Sequence, residues 1–285
     1  MRWISFFTFL VVSFSARGAS EVRLMHALDA SMAAQLERLA AEYNASQREF
    51  RVELAGVPET GPGRLLRVPI PMNTARPVLY YNRDLSRLAL LNPDSAPRTW
   101  YDMPRFLAAL AAVGERCPYT TAWPAWVLME NSGGVFSRQL MVRWTSMLAT
   151  WEKAGYFSYS GRADEGETRF VLGECAMLTS SSANRLDIER RARFDVGVAP
   201  LPYYDDAGVP SRELPASAPA VWVERQSVGV TSFFAFLATH ASEERRRRDA
   251  MEVELEKVWR EGKTAPDALQ ALTPKPKPPP PVIWP

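Results

Sequence analysis

The chain has 285 residues, of which 47% are hydrophobic and 11% aromatic, and it carries 34 basic and 32 acidic side chains. This composition excludes a disordered chain and supplies enough apolar side chains for one large core or two smaller ones. A formal net charge of +2 produces no strong field, so we expect no nucleic-acid partner and no attraction to acidic membranes.

The amino terminus has the pattern of a secretory signal peptide, which we assign to residues 1–20. Arg2 precedes an apolar run from Ile4 to Val12, and small residues follow at Gly18 and Ala19. The apolar run is much shorter than the ~20 residues of a membrane-spanning helix, which disfavours the alternative of an N-terminal anchor. The sequence therefore predicts a periplasmic protein without a stable membrane anchor.

Apolar periodicity predicts that the mature chain opens with a βαβ unit. Strands are expected at 22–26 and 50–54, with a helix at 32–43 between them, so the fold class is α/β. The later predicted elements are a strand at 78–82, helices at 103–113 and 138–155, a helix running into a strand over 170–178, strands at 194–198 and 222–223, and helices at 228–239 and 243–261.

The last predicted helix is strongly charged, and a proline-rich tail follows it at 273–285. We interpret Arg245–Arg248 as a solvated helix face whose charges are paired with Glu243, Glu244 and Glu252. The prolines of the tail predict an extended polyproline conformation, because proline fixes φ and lacks an amide donor.

The two cysteines leave two interpretations open. Cys117 and Cys175 are too few for a metal site, and in an oxidising compartment they form either a disulfide or two buried thiols. Their spacing does not pair them and each lies in an apolar setting, which favours buried thiols. We predict no metal and no cofactor.

Three segments resemble a known family. The first is 76–85, followed by Asn-Pro at 92–93 and Pro-Arg-Thr-Trp at 97–100; the second is 161–182, and the third is 194–206. In this order, with Cys117 and Trp123 between the first two, they resemble the glycerol-3-phosphate-binding proteins of ABC importers, which are extracellular solute-binding proteins of family 1. The resemblance covers most of 22–272 in pieces.

This resemblance implies a two-lobed α/β fold with hinge strands, in which the first lobe is shortened. Lobe 1 is expected to be discontinuous, with residues 21–84 and 197–272, and lobe 2 to contain 85–196. In this family the ligand lies in a cleft between the lobes, and the closed shape is recognised by the permease subunits of the importer.

The resemblance also implies ligand-binding residues. Trp123 matches a tryptophan that packs on the glycerol skeleton, the alternative being an ordinary core residue. Ser181 matches a serine that binds the ligand, and Ser182 lies beside it at the start of a helix, where free amides would assist or where the hydroxyl would only cap the helix. Arg76 is a further candidate that the resemblance itself does not imply: it could reach the phosphate from the hinge side with its guanidinium fork, the alternative being a surface arginine.

Several ligand-holding parts of the family pattern are missing from this sequence. Most of the first lobe between Val57 and Arg64 is absent, Ala75 replaces a ligand-binding serine, and a glycine motif is replaced by Ser217 and Ala218. The segment beyond 237 that carries a phosphate-neutralising arginine is also skipped. Because a buried phosphate without a cationic partner costs several kcal/mol, tight glycerol-3-phosphate binding does not follow from the resemblance.

Two functions from different classes remain. The first is the substrate-binding component of an ABC importer for sn-glycerol 3-phosphate or a glycerophosphodiester. The alternative is a shortened, ligand-deficient homologue that acts as an interaction protein or is a degenerate gene product. An enzyme is disfavoured, since the sequence contains no nucleophile elbow, phosphate loop or HExxH motif.

Overall fold

The computed structural model describes residues 19–28, 30–58, 61–72, 75–131, 137–207 and 221–272. These residues form two compact units. Unit 1 contains the described residues between 19 and 72 and between 221 and 240, and unit 2 those between 75 and 207 and between 241 and 272.

The described strands are β1 (Ser20–His26), β2 (Phe50–Gly56), β3 (Leu66–Val68), β4 (Pro77–Asn82), β5 (Tyr119–Thr121), β6 (Met177–Ser181), β7 (Val196–Pro200) and β8 (Val221–Val223). The described α-helices are α1 (Ala30–Ser46), α2 (Arg83–Leu88), α3 (Met103–Ala112), α4 (Pro124–Asn131), α5 (Arg138–Lys153), α6 (Glu165–Val171), α7 (Arg185–Arg191), α8 (Val228–Glu261) and α9 (Ala265–Ala271). The predicted α/β class with two units is confirmed.

Unit 1 contains a four-stranded sheet with the order β2-β1-β8-β3. Strands β1 and β2 are parallel and joined by α1, which confirms the predicted βαβ unit, while β8 is antiparallel to both of its neighbours. Val22 and Leu24 alternate with exposed residues along β1, as expected for a strand with one buried face. Their side chains join a core cluster with Leu36 of α1 and Phe233 of α8.

Unit 2 contains a second four-stranded sheet with the order β5-β6-β4-β7. Strand β4 is central and antiparallel to both neighbours, whereas β5 and β6 are parallel. All six residues of β4 are buried, because the sheet is covered on both faces. Gly197 of β7 is required by this packing, since a Cβ at that position would lie 2.1 Å from Cζ of Tyr81 on β4.

Aromatic side chains form the centre of unit 2. The indole of Trp100 is fully buried and lies edge-to-face against Trp144 of α5, with ring centroids 6.0 Å apart. Tyr119 of β5 packs on the same indole at 6.4 Å. Such contacts add to the apolar area that these large rings bury.

The helices predicted at 228–239 and 243–261 are one continuous helix, α8, so their separation was wrong. The residues predicted to separate them, 240–242, include neither glycine nor proline, and nothing in the backbone chemistry ends the helix there. The division between the two units falls inside α8, after His240. Arg245–Arg248 make no ion pair with any described residue, so the predicted pairing with Glu243, Glu244 and Glu252 was also wrong.

Cys117 and Cys175 form a disulfide, which corrects the preference for buried thiols. The two cysteines precede the neighbouring parallel strands β5 and β6 by the same number of residues, so the sheet register places their Cα atoms 4.5 Å apart. The amide of Ala176 donates to the carbonyl of Cys117 at 2.9 Å and extends this register. Strand pairing, which sequence spacing does not reveal, therefore joins the cysteines.

The units differ from the predicted lobes at their boundaries. Residues 75–84, which include β4, and residues 197–207 and 241–272 belong to unit 2, whereas the sequence placed them in lobe 1. The reason is strand pairing, because β4 hydrogen-bonds to β6 and β7 and not to any strand of unit 1.

Among the described residues, no helix contains an apolar stretch long enough to span a membrane. The predicted signal peptide up to residue 18, Ser217, Ala218 and the tail at 273–285 lie outside the described residues.

Candidate functional site

The four predicted ligand-binding residues all lie at one end of the strands of the unit 2 sheet. Parallel strands β5 and β6 both end at this edge, with Thr121 paired to Thr179, and antiparallel β4 begins there. Trp123 lies two residues beyond β5, and Ser181 is the last residue of β6. Arg76 directly precedes β4, whose first residue, Pro77, pairs with Ser181. We refer to this edge, with the loops that start there, as the strand-end site.

Buried hydroxyl groups fix the register of β5 and β6 just before the site. The hydroxyl of Tyr119 lies 2.8 Å from Oγ1 of Thr179, which in turn donates to Oγ1 of Thr121 at 2.8 Å. Thr121 and Thr179 are fully buried. Because buried polar groups are costly unless they are hydrogen-bonded, this chain of hydroxyls specifies one strand pairing. The loops that follow the two strands therefore start from fixed positions.

Trp123 is not a core residue, because 41% of its surface is exposed. Its backbone has a φ of +51°, which is uncommon for a bulky residue and turns the chain sharply between β5 and α4. Two hydrogen bonds hold this turn: the Trp123 amide donates to the carbonyl of Ala163 at 2.9 Å, and its carbonyl accepts from the amide of Val127 at 3.0 Å. Pro124 begins α4, where a missing amide proton costs nothing. The exposed indole is thus presented from a defined backbone.

Ser181 and Ser182 use their hydroxyl groups in local hydrogen bonds. Oγ of Ser181 accepts from the amide of Ala183 at 3.2 Å and caps the single 3-10 turn at 182–184. Oγ of Ser182 accepts from the amide of Arg76 at 3.1 Å. A serine hydroxyl donates one hydrogen bond and accepts two, and neither O–H has an acceptor among the described residues. Both hydroxyls therefore remain available as donors.

The expectation of free amides beside these serines was wrong. The amide of Ser182 donates to the carbonyl of Arg76 at 2.7 Å, and the amide of Ala183 is used by Ser181. The turn that follows Ser181 is a three-residue 3-10 turn, so it has no long row of exposed amides. Polar recognition here would come from hydroxyl groups rather than from a helix terminus.

Arg76 is joined to the serine loop through its backbone. Its carbonyl accepts from the amide of Ser182, which continues the β4–β6 ladder by one residue, and its amide donates to Oγ of Ser182. The residue is buried, with 8% of its surface exposed. Arg76 is therefore close to Ser182 along the sheet edge, but it is less accessible than the indole of Trp123.

Glu167 of α6 is a residue of this region that sequence reasoning missed. Its carboxyl is buried and accepts from Oγ of Ser180 and from Nδ2 of Asn184, the latter at 2.7 Å. Its charge also contributes, after burial, to raising the pKa of the Tyr80 hydroxyl, which donates to the carbonyl of Ser181 at 2.6 Å. In the sequence Glu167 stands among other charged residues at a helix start, a pattern typical of solvent-exposed side chains.

Glu252 of α8 is the second residue that was missed, because it was assigned to the arginine face. It is buried, and its Oε1 accepts from the amide of Ala125 at 2.8 Å in the first turn of α4. Its Oε2 is buried without a hydrogen-bond partner among the described residues. Burial raises the pKa of Glu252 to about 8, although the Ala125 amide and Arg162 act in the opposite direction. Glu252 therefore ties α8 to the helix that follows Trp123.

Comparison with known proteins finds relatives that match part of the chain. No protein-family model matches the chain. The sn-glycerol-3-phosphate-binding periplasmic protein UgpB of Escherichia coli K12 is 33% identical over 193 residues, which cover 59% of this chain and 44% of the relative. UgpB of Yersinia enterocolitica is 33% identical over 192 residues, with the same coverage. The chain thus spans less than half the length of these curated relatives.

A solved structure supports the fold. The GacH receptor of Streptomyces glaucescens, whose structures include complexes with acarbose and an acarbose homologue, superposes with a TM-score of 0.51. The alignment covers 90% of this chain and 97% of that chain at 13% sequence identity, which shows a shared fold and nothing more specific. The chain therefore shares the fold of the GacH receptor and is similar in sequence, over part of its length, to the sn-glycerol-3-phosphate-binding periplasmic proteins.

Proposed function

We propose that this protein is a periplasmic substrate-binding component of an ABC importer, with sn-glycerol 3-phosphate or a glycerophosphodiester as its ligand. The observation that carries the proposal is the strand-end site, where an exposed indole and two hydroxyl donors follow neighbouring parallel strands. The homologous UgpB proteins, whose name states the same ligand, support the choice of ligand. Permease subunits of an importer are the corresponding partners, and the protein acts as a receptor without catalysis.

The chemistry of the site suits a small polyol. An indole face covers the C–H groups of a glycerol skeleton, and hydroxyl donors bind its oxygen atoms or those of a phosphate. Ser181 and Ser182 supply two such donors from one turn. The position of the ligand in a cleft between lobes stays a prediction.

The phosphate requires a cationic partner, and we propose Arg76 for this role. Its backbone is hydrogen-bonded to Ser182, so its side chain starts at the edge from which the serine hydroxyls act. Because only 8% of Arg76 is exposed, binding requires its guanidinium to become accessible. A charge-assisted hydrogen bond to phosphate is worth about 1.5–3 kcal/mol, or roughly 10- to 100-fold in affinity.

Isothermal titration calorimetry with a ligand panel tests this proposal. The mature protein would be titrated with sn-glycerol 3-phosphate, glycerophosphocholine, glycerol and maltose. We expect heat at micromolar concentrations for the two phosphate-containing ligands only. Binding of maltose alone would assign a sugar ligand instead. The absence of heat with every ligand would favour the alternative, a ligand-deficient homologue that acts as an interaction protein or is a degenerate gene product.

Arg76→Ala and Arg76→Lys separate the phosphate contact from the rest of the site. We expect Arg76→Ala to weaken glycerol 3-phosphate at least tenfold, and Arg76→Lys to keep part of the affinity because the charge remains without the bidentate fork. If Arg76→Ala left the affinity unchanged while Trp123→Ala abolished it, Arg76 would have no role in binding.

A further inference from the structure

A single segment, residues 163–167, contacts both loops of the strand-end site. The carbonyl of Ala163 accepts the amide of Trp123 at 2.9 Å. Gly166 lies against the end of β5, since a Cβ there would be 2.6 Å from the carbonyl oxygen of Thr121. Glu167 bonds to the serine loop that follows β6. The start of α6 is therefore packed between the backbone that carries the indole and the backbone that carries the hydroxyls.

The Glu167 carboxyl bonds to both sides of the serine pair. Ser180, which immediately precedes Ser181, donates a hydrogen bond to the carboxyl. Asn184, the last residue of the 3-10 turn, donates another. The two donors share one oxygen atom, Oε1, so the residues between them form a closed loop around that atom. Among the described residues, neither Ser181 nor Ser182 hydrogen-bonds to the carboxyl with its own hydroxyl, which leaves both hydroxyl protons for other acceptors.

The burial of Glu167 needs an explanation. The residue is only 5% exposed, and a buried carboxyl is costly unless its hydrogen bonds are strong. An apolar side chain would pack beside β6 without that cost. What an apolar residue cannot do is hold the Ser180 hydroxyl and the Asn184 amide at one point, and this is the geometry that fixes the turn.

We propose that Glu167 is a positioning residue of the ligand site: its buried carboxyl fixes the turn that carries Ser181 and Ser182, while the segment before it fixes the loop of Trp123. The role of Glu167 in ligand binding rests on the proposed function. The ordering of the turn by Glu167 exists without ligand, and so it can be measured independently of ligand binding.

The test compares Glu167→Ala, Glu167→Gln and an exposed control, Glu174→Gln. Hydrogen exchange of the Ser182 and Ala183 amides reports the turn without ligand, and the Ala122 amide, bonded to Thr179 of β6, serves as internal reference. We expect Glu167→Ala to accelerate exchange at Ser182 and Ala183 about tenfold or more relative to Ala122. Glu167→Gln keeps the acceptor oxygen and is expected to restore protection to within about threefold of wild type. Glu174→Gln should change nothing.

Calorimetry on the same variants gives the functional readout. We expect the Kd for glycerol 3-phosphate to rise about tenfold in Glu167→Ala and to recover in Glu167→Gln. If the wild type binds no ligand of the panel, the proposed function fails while the exchange data still decide the positioning role. Should Glu167→Ala fail to fold, Asn184→Ala removes one of the two bonds from the other side and must accelerate the same amides. Equal exchange at Ser182 and Ala183 in wild type and all variants would overturn the inference, and so would an acceleration that Glu167→Gln does not reduce.

Discussion

Replacing Glu252 with glutamine is expected to remove a pH dependence of stability that this single residue imposes. The carboxyl is buried in unit 2, and its pKa is raised from 4.5 to about 8, first by burial and then by the nearby charges of Asp249 and Glu165. A raised acid pKa means that the folded state binds a proton more tightly than the unfolded state. Stability is therefore highest when Glu252 is protonated, and it is lost as the pH rises from the unfolded pKa through the folded pKa.

The size of the effect follows from the pKa interval. At about 1.4 kcal/mol for each pKa unit, the interval from 4.5 to about 8 corresponds to about 5 kcal/mol. Roughly 4 kcal/mol of this falls between pH 5 and pH 9. Glutamine has the shape of the protonated acid, keeps an oxygen for the Ala125 amide and cannot ionise. We expect Glu252→Gln to be close to wild type at pH 5 and more stable by several kcal/mol at pH 9.

Urea unfolding at pH 5, 6, 7, 8 and 9, followed by near-UV circular dichroism of the tryptophans, measures this difference. Glu254→Gln is the control of opposite sign. Hydrogen bonds from Lys257 and Lys263 hold the pKa of Glu254 below its ordinary value, so its contribution is present at neutral pH and is lost as the pH falls. Parallel stability curves for wild type and Glu252→Gln, or a variant that is less stable at pH 9 than wild type, would refute the reasoning.

Two further predictions concern the folding of unit 2. The Cys117–Cys175 disulfide closes a loop with a sequence separation of 58, so the double variant Cys117→Ala/Cys175→Ala is expected to lose about 4 kcal/mol; an unchanged urea midpoint, measured against the oxidised wild type, would contradict this. Gly197→Ala places a methyl group 2.1 Å from the Tyr81 ring and is expected to lower the free energy of unfolding by about 1–3 kcal/mol, measured by thermal unfolding. Gly56→Ala is the matched control, because a Cβ at that position meets nothing within 4 Å. Equal losses of stability in both variants would refute the packing argument.

Local patterns were sufficient to predict most elements. The alternation of Val22 and Leu24 and the helical spacing of Leu36, Leu39 and Tyr43 locate β1 and α1 correctly, since one buried face of a strand or helix leaves a periodic trace in the sequence. Periodicity is less informative where a helix is exposed on every side. This is why α8 was divided: residues 242–247 are mostly exposed and carry no apolar stripe to continue the pattern.

Pairing between distant strands was not predictable from the sequence. The disulfide, and the placement of β4 in unit 2, both follow from the register of β4, β5 and β6. These strands are separated by helices and loops, so no local pattern states which of them are neighbours. The sequence left the cysteine question open for the same reason.

The candidate site divides in a similar way. The family resemblance predicted a ligand-binding role for Trp123 and Ser181, and that role stays a prediction. Trp123 is exposed, so the alternative of an ordinary core residue is excluded. Glu167 and Glu252 were not identified, because the sequence alone does not distinguish a buried glutamate from a solvent-exposed one. Their burial depends on hydrogen bonds to Ser180, Asn184 and the Ala125 amide, which arise only from the packing of α6 and α8.

The central claim is that the indole of Trp123 and the hydroxyl of Ser181 bind one small phosphorylated polyol. The most direct measurement is the Kd of sn-glycerol 3-phosphate, by calorimetry, for wild type, Trp123→Ala, Trp123→Phe and Ser181→Ala. We predict micromolar binding by wild type, a loss of at least tenfold in Trp123→Ala and Ser181→Ala, and partial retention in Trp123→Phe, because a smaller aromatic face remains. Identical affinities in all four proteins, or no binding by wild type, would contradict the claim.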